Sequence, residues 1–245
     1  MARTSRRWSS LLIPLAVAVL PAVFPHEAQA QQTIFNIPSP DVLEPGAHYF
    51  ETDHYFRTRR SGSDSPGFFF VRGVFGIGSN AEAGFNVGPQ EFHHASQPFI
   101  DATIKWRPFR REFGKSAARG ALGLLLGDNA GIGLRNETAG QARNFAYMAG
   151  FVEAPLAGTR VSAGTYFATR EVFTDRRRFG AQATFEQPIP GVKGLVFATD
   201  WFSGDGAYAT SGLIWTAGRF ITYAGYGFAN KGKNDLVTLE IGIKF

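Results

Sequence analysis

The chain contains no cysteine and only two methionines among its 245 residues. Without cysteine there is no disulfide scaffold, no Cys-ligated zinc or iron–sulfur centre and no lipid attached through a thiol. Charge is scarce as well, with Asp, Glu, Lys and Arg making up 18% of the chain. Beyond the N-terminus no apolar run approaches the roughly 18–20 residues that a membrane-spanning helix needs. What the chain does have is 29 Gly and 24 Phe, with aromatic residues at 14%. That content excludes intrinsic disorder. It leaves one Gly- and Phe-rich domain whose hydrophobicity is spread thinly.

Residues 1–30 read as a secretory signal peptide. Arg3, Arg6 and Arg7 form a basic start, Leu11 to Phe24 an apolar stretch, and Ala28-Gln29-Ala30 a small-residue cleavage site. The apolar stretch is short and broken by Pro14 and Pro21, which argues against a retained anchor. Ser5-Arg6-Arg7 hints at twin-arginine export, but Ser9 stands where that motif usually has Phe, so general secretion is expected. Removal of Arg3, Arg6, Arg7 and Glu27 lowers the net charge from +5 to about +3. Nothing in that balance points to a nucleic-acid partner.

The remaining chain alternates with a period of two, the period of β-strands. In the last segment Val237, Leu239, Ile241, Ile243 and Phe245 fall on one face, and Thr238, Glu240, Gly242 and Lys244 on the other. Around Phe99 to Arg107, Ile100, Ala102, Ile104 and Trp106 alternate with Asp101, Thr103, Lys105 and Arg107. Similar patterns mark Ala81–Val87, Arg160–Arg170 and Phe179–Glu186. Weaker ones mark His48–Arg57, Phe68–Ile77, Gly120–Gly127, Asn144–Val152, Gly194–Phe202, Tyr208–Thr216 and Phe220–Ala229. Together they predict twelve strands in one domain spanning residues 47–245, with 31–46 as an extended periplasmic lead-in. Short links tend to alternate with longer polar ones. The basic segment Pro108–Ala118 breaks that rule, standing as a link where a short turn is expected.

Strands of about ten residues match what a tilted bilayer crossing requires. The apolar face is thin and rich in Ala, Gly and Phe. That suffices in lipid, where each backbone group is satisfied by the neighbouring strand and closure removes the edges. Aromatics gather near strand ends, as interfacial girdles require: Tyr49 and Tyr55, Trp106 and Phe109, Tyr166 and Phe167, Trp201 and Phe202, Tyr226 and Phe228. The fold class expected is therefore all-β, a transmembrane antiparallel up-and-down barrel of about twelve strands.

The ending Leu239-Glu240-Ile241-Gly242-Ile243-Lys244-Phe245 resembles the C-terminal signal of Gram-negative outer-membrane barrels, with Leu239, Ile241, Ile243 and Phe245 at its alternate positions. The resemblance implies a place in the outer membrane among lipid and lipopolysaccharide. It also implies handling by periplasmic chaperones and the barrel-assembly machinery. Thr33–Leu43, Phe185-Glu186-Gln187-Pro188 and Asp200-Trp201-Phe202-Ser203-Gly204 are similar to stretches of poorly characterised porin-like bacterial proteins. That second resemblance implies a fold and a location, and no substrate.

Motifs with other meanings give way to plainer ones. Gly76-Ile77-Gly78-Ser79-Asn80-Ala81 spells a dinucleotide fingerprint, but a strand follows where the motif needs a helix, so a hairpin turn is expected. Asn136-Glu137-Thr138 spells a glycosylation sequon in an otherwise bacterial context. Glu91, His93 and His94 share a long loop, where adjacent histidines point apart, and no metal or cofactor is expected. His48 and His54 belong on the face of Phe50 and Phe56, because turning Glu51 and Asp53 to lipid is the costlier choice. No Ser sits in a G-x-S-x-G setting, and no carboxylate pair lies beside a His on an inward face, so a non-enzymatic role is expected first. The lesser alternative is an outer-membrane lipid-modifying enzyme with a triad assembled across strands, whose activity would depend on His48 or His54.

The polar faces instead carry charge of both signs. Glu51, Asp53, Glu82, Asp101, Glu186 and Asp200 stand against Arg72, Lys105, Arg107, Arg160, Arg170 and Lys244, all expected to face a narrow lumen. The function expected is a monomeric, porin-like passive channel whose fixed charges replace part of a small solute's hydration. The alternative is a closed structural or adhesive barrel, with Arg176, Arg177 and Arg178 in an outer loop binding lipopolysaccharide or a partner. The basic residues Arg107, Arg110, Arg111, Lys115 and Arg119 fall on the periplasmic side without an assigned role.

Overall fold

The computed structural model describes residues 33–59, 66–91, 98–115, 118–134, 139–155, 158–169, 172, 178–232 and 235–245. A small hairpin of β1 (Thr33–Ile34) and β2 (Ile37–Pro38) precedes twelve longer strands. These are β3 (His48–Arg57), β4 (Gly67–Gly78), β5 (Ala81–Glu91), β6 (Phe99–Lys115), β7 (Ala118–Gly133) and β8 (Ala142–Glu153). After them come β9 (Arg160–Ala168), β10 (Phe179–Pro188), β11 (Leu195–Phe202), β12 (Tyr208–Ala217), β13 (Phe220–Ala229) and β14 (Leu236–Lys244). Strands β3 to β14 pair antiparallel in sequence order, and β14 pairs with β3 to close the barrel. Among the described residues no helix is long and apolar enough to cross a membrane.

The alternation read from the sequence sets which side faces in. Along β14, Leu236, Thr238, Glu240 and Gly242 are buried, while Val237, Leu239, Ile241 and Phe245 are exposed. The same phase around the barrel turns Ile104, Trp106, Trp201, Leu213 and Trp215 outward. Exposed large apolar side chains on strand after strand are more than a soluble monomer usually carries. Around a closed cylinder it is the face that meets hydrocarbon. His48 and Phe245 lie at one end, here called basal, where backbone bonds in both directions join them. The C-terminal ends of β3, β5, β7, β9, β11 and β13 lie at the other, distal end.

Three expectations are corrected. The basic stretch Pro108–Ala118 is not a link: β6 runs on to Lys115 and β7 begins at Ala118, so a two-stranded ribbon extends from the basal end. It carries Arg110, Arg111 and Arg119 in exposed or half-buried positions, with Arg110 3.7 Å from Glu153. Of the expected girdle aromatics, Tyr49, Tyr55, Tyr166 and Phe202 point inward and are buried. Their phase follows the polar face of their strands, and their rings fill part of the lumen.

Residues 33–43, part of the 31–46 stretch expected as an extended periplasmic lead-in, lie inside the barrel against inward-facing side chains. Thr33, Ile34, Phe35, Ile37, Ser39, Asp41, Val42 and Leu43 are all buried. The chain leaves the lumen past Gly76, whose N–H donates to Ala47 O and whose carbonyl accepts from Gly46 N, both at 3.0 Å. A side chain at Gly76 would stand 2.0 Å from Glu44 O, so glycine is what lets the segment pass.

Candidate functional site

The lumen is the candidate site, and its occupant is the protein's own N-terminal segment. Phe35 and Asn36 turn the β1–β2 hairpin, with Phe35 at φ 54°, an unfavourable left-handed conformation for a bulky aromatic. Strain of this kind costs about 1–3 kcal/mol and persists only where the surroundings hold it. Here they do. The Phe35 ring sits over Gly225 and Gly212 of the wall, where added Cβ atoms would each lie 2.8 Å from it. Ile34, Phe35 and Leu43 pack with Tyr49, Val74, Ala198, Ile214, Ile221 and Tyr223 into a dry cluster. Ile37 joins a second cluster with Leu125, Phe145, Tyr147, Tyr166 and Phe202.

Polar contacts fix the segment along its length. The backbone N–H groups of Asn36 and Ile37 both donate to Asp200 Oδ2, at 2.6 and 3.0 Å. The Asn36 side chain donates to Thr210 Oγ1 at 2.9 Å and accepts from the Tyr55 hydroxyl at 3.4 Å. Arg72 donates to Thr33 Oγ1 at 2.8 Å, and Leu43 N–H donates to Glu82 Oε2 at 2.8 Å. Lys105 and Arg107 donate to the carbonyls of Ser39 and Pro40, at 3.4 and 3.3 Å. Arg160 Nη1 donates to Asp41 Oδ1 at 2.8 Å. Buried carbonyls and N–H groups of an irregular segment need such partners, and the wall supplies them from charged side chains.

Charges expected to face a narrow lumen are therefore largely paired with each other or with this segment. Arg72 meets Glu51 at 2.9 Å and Asp53 at 3.1 Å, Lys105 meets Glu82 at 2.7 Å, and Arg160 meets Glu186 at 2.6 Å. Glu51, Asp53, Glu82, Asp101, Lys105, Glu186 and Asp200 are buried inward, and Arg72, Arg107, Arg160 and Lys244 are half-buried. Arg170, Arg176, Arg177, His93, His94, Ala28 and Ala30 lie outside the described residues. Arg178 is exposed immediately before β10.

Above the segment, toward the distal end, a cavity of about 670 Å³ remains. Thr33, Phe35, Asn36 and Pro38 form its floor. One wall is aromatic, with Tyr55 stacked on Phe68 at 5.0 Å and Phe70 close to both. Arg143 lies over the Phe99 ring at 3.6 Å and 3.6 Å from Asp101, setting a guanidinium beside a carboxylate at the mouth. The described histidines take no part: His48 and His54 face outward against Phe75 and Phe69.

Several lumen groups escaped sequence reading as site residues. Glu240 sits on the inward face of β14, directly opposite Asp53, with one oxygen each of Glu51, Asp53 and Glu240 within 4.8 Å of one another. The alternation of the last ten residues already gave its direction. Arg143 begins its strand in what looked like a link, and Asp41 lies in a segment with no period at all. Nothing in the sequence alone signals that Asp41 meets Arg160.

No protein-family model matches the chain, and no curated protein matches it. Among solved structures it is similar to outer membrane phospholipase A from Escherichia coli, at 8% identity and a TM-score of 0.47, over 82% of this chain and 92% of that one.

Proposed function

We propose that the chain is a Gram-negative outer-membrane barrel that passes small polar or charged solutes through a lumen gated by its own N-terminal segment. The basal end faces the periplasm and the distal cavity opens outward. The observation that carries this reading is the cavity of about 670 Å³ standing on residues of that segment. Its volume falls within the range of small-molecule sites, and aromatic faces beside paired charges suit a solute with both apolar and polar parts. Below it residues 33–43 fill the lumen. Passage therefore requires the segment to move, which adds a gate to the narrow passive channel expected from charge patterning.

In this reading the barrel is exported, is surrounded by outer-membrane lipid and lipopolysaccharide, and presents Leu239, Ile241, Ile243 and Phe245 to the barrel-assembly machinery. It is a monomer with no catalytic role. His48 and His54 point to the hydrocarbon side, away from any lumen nucleophile.

The test is single-channel recording of the refolded mature protein beside the Asp200→Asn variant. The expected record is a mostly closed wild type with rare stepwise openings, and a higher open probability at unchanged step size in the variant. Silence from both, with barrels intact by circular dichroism, would sink the gating reading. It would favour a closed structural barrel working through its outer loops.

A further inference from the structure

We propose that Glu51, Asp53 and Glu240 bind a divalent cation at the seam where the last strand closes on the first. Glu51 and Asp53 stand two apart on the inward face of β3, and Glu240 on β14 pairs directly with Asp53. All three side chains are buried, none more than 2% exposed. One guanidinium reaches them: Arg72 donates to Glu51 Oε1 and Asp53 Oδ2. Its other bonds go to Thr33 Oγ1 and Asn86 Oδ1. The Tyr49 hydroxyl donates to Glu51 Oε2, and Thr238 Oγ1 donates to Glu240 Oε1 at 3.1 Å.

Two oxygens are left over. Asp53 Oδ1 and Glu240 Oε2 have no donor, and no ion pair reaches Glu240 among the described residues. Glu240, with no exposed surface, thus aims an uncompensated carboxylate at an acid pair that shares a single arginine. Three carboxylates against one guanidinium leave two negative charges on buried side chains, a severe cost unless something neutralises them. Strand pairing itself asks for no charge at this position, since the ladder bonds are made by the backbone.

A divalent ion balances the count. Ligand oxygens no more than 4.8 Å apart fit one ion bonded to each at the 2.3–2.6 Å typical of calcium. The donors are all oxygen, with carboxylates foremost and the Tyr49 phenol beside them, which selects a hard cation of the calcium or magnesium kind over soft metals. Asp53 also lines the distal cavity, which gives the ion a route in. Bound there, the ion would hold β14 against β3 next to the arginine that grips Thr33 of the inner segment. The site does not depend on whether that segment acts as a gate.

The experiment uses refolded, EDTA-treated mature protein in detergent, free of lipopolysaccharide and its ions. Terbium is titrated in while tyrosine is excited, because Tyr49 and Tyr223 lie at the site, whereas Trp106, Trp201 and Trp215 face outward. The expected result is sensitised luminescence saturating at one ion per chain and displaced by calcium. Calcium at about a hundred times its dissociation constant should raise the thermal midpoint by roughly 5–10 °C. Both effects should vanish in Glu240→Gln, and in Asp53→Asn should the first variant fail to fold. Coincident melting curves with EDTA and calcium, with no luminescence, would overturn the proposal and leave protons as the neutralising charge. Effects that survive in both variants would overturn it too, placing the ion elsewhere.

Discussion

Arg160 and Asp41, 119 positions apart in sequence, meet at 2.8 Å inside the barrel. The same guanidinium bonds both oxygens of Glu186, through Nε at 2.7 Å and Nη2 at 2.6 Å. One side chain of β9 therefore ties the inner segment to the wall while neutralising the next strand. The two acids share one arginine, so removing it costs each of them a charged partner.

Arg160→Ala should lower stability by about 3–5 kcal/mol, the usual cost of breaking a buried charge pair from one side. Adding Asp41→Asn and Glu186→Gln to it should recover much of the loss, because the remaining groups are then neutral. Urea unfolding of the refolded protein in vesicles measures both. A single-variant loss under about 1 kcal/mol would show that water reaches these groups freely.

Asp200→Asn should cost about 1.5–3 kcal/mol locally, since two N–H groups lose a charged acceptor. Hydrogen exchange at the amides of Asn36 and Ile37 should accelerate, while those in the middle of β11 stay protected. Uniform acceleration through β11 would mean that Asp200 supports the wall and not the segment.

A chain without cysteine allows a clean cross-link. Asn36→Cys with Thr210→Cys replaces two side chains that bond at 2.9 Å, putting a disulfide between the hairpin tip and β12. Oxidised protein should show no openings in a planar bilayer, and reductant should restore the wild-type record. Identical conductance in both states would place the solute path elsewhere.

Gly225→Ala should push the Phe35 ring out of its seat, because the nearest atoms to the new Cβ are side-chain atoms of Phe35 at 2.8 and 3.1 Å and of Thr238 at 3.1 Å. The barrel backbone is not in the way. Limited proteolysis should then cut within residues 33–43 faster, and Phe35→Leu in the same chain should slow the cutting again. An unchanged cleavage rate would mean that the tip is not what holds the segment.

Leu239→Arg tests which way β14 faces. Near the middle of the strand and exposed outward, an arginine there should destabilise the barrel in bilayers by about 2–4 kcal/mol. Folding yield and urea unfolding in phospholipid vesicles provide the readout, with Leu239→Ala as the control. A neutral effect would be incompatible with lipid contact at that position.

Much of the barrel was legible because one physical rule governs every strand. With lipid outside and protein inside, residues must alternate, and β3 and β13 begin and end where their alternation does. The reading failed where alternation carries no information. Pro108 interrupts β6 at a shift in register between Trp106 and Phe109, so proline and clustered arginines mimicked a loop while the ladder continued beyond it. Tyr49 and Tyr55 sit near strand ends like girdle residues, yet their phase is that of Glu51 and Asp53. The inner segment was opaque for another reason. Its bonds reach to Glu82, Arg160 and Asp200, contacts set by the closed cylinder's geometry that no local pattern in residues 33–43 can announce.

Only Glu44, Pro45, Gly46 and Ala47 join the inner segment to β3, and backbone bonds at Gly46 and Ala47 take up their slack. Once displaced, the segment stays within a few residues of the opening, at a local concentration on the order of millimolar. Rebinding is then unimolecular and fast, so conduction should come in brief bursts. A soluble peptide copying Thr33–Leu43 would need comparably high concentration to compete, making covalent attachment the factor that sets how long the passage stays clear.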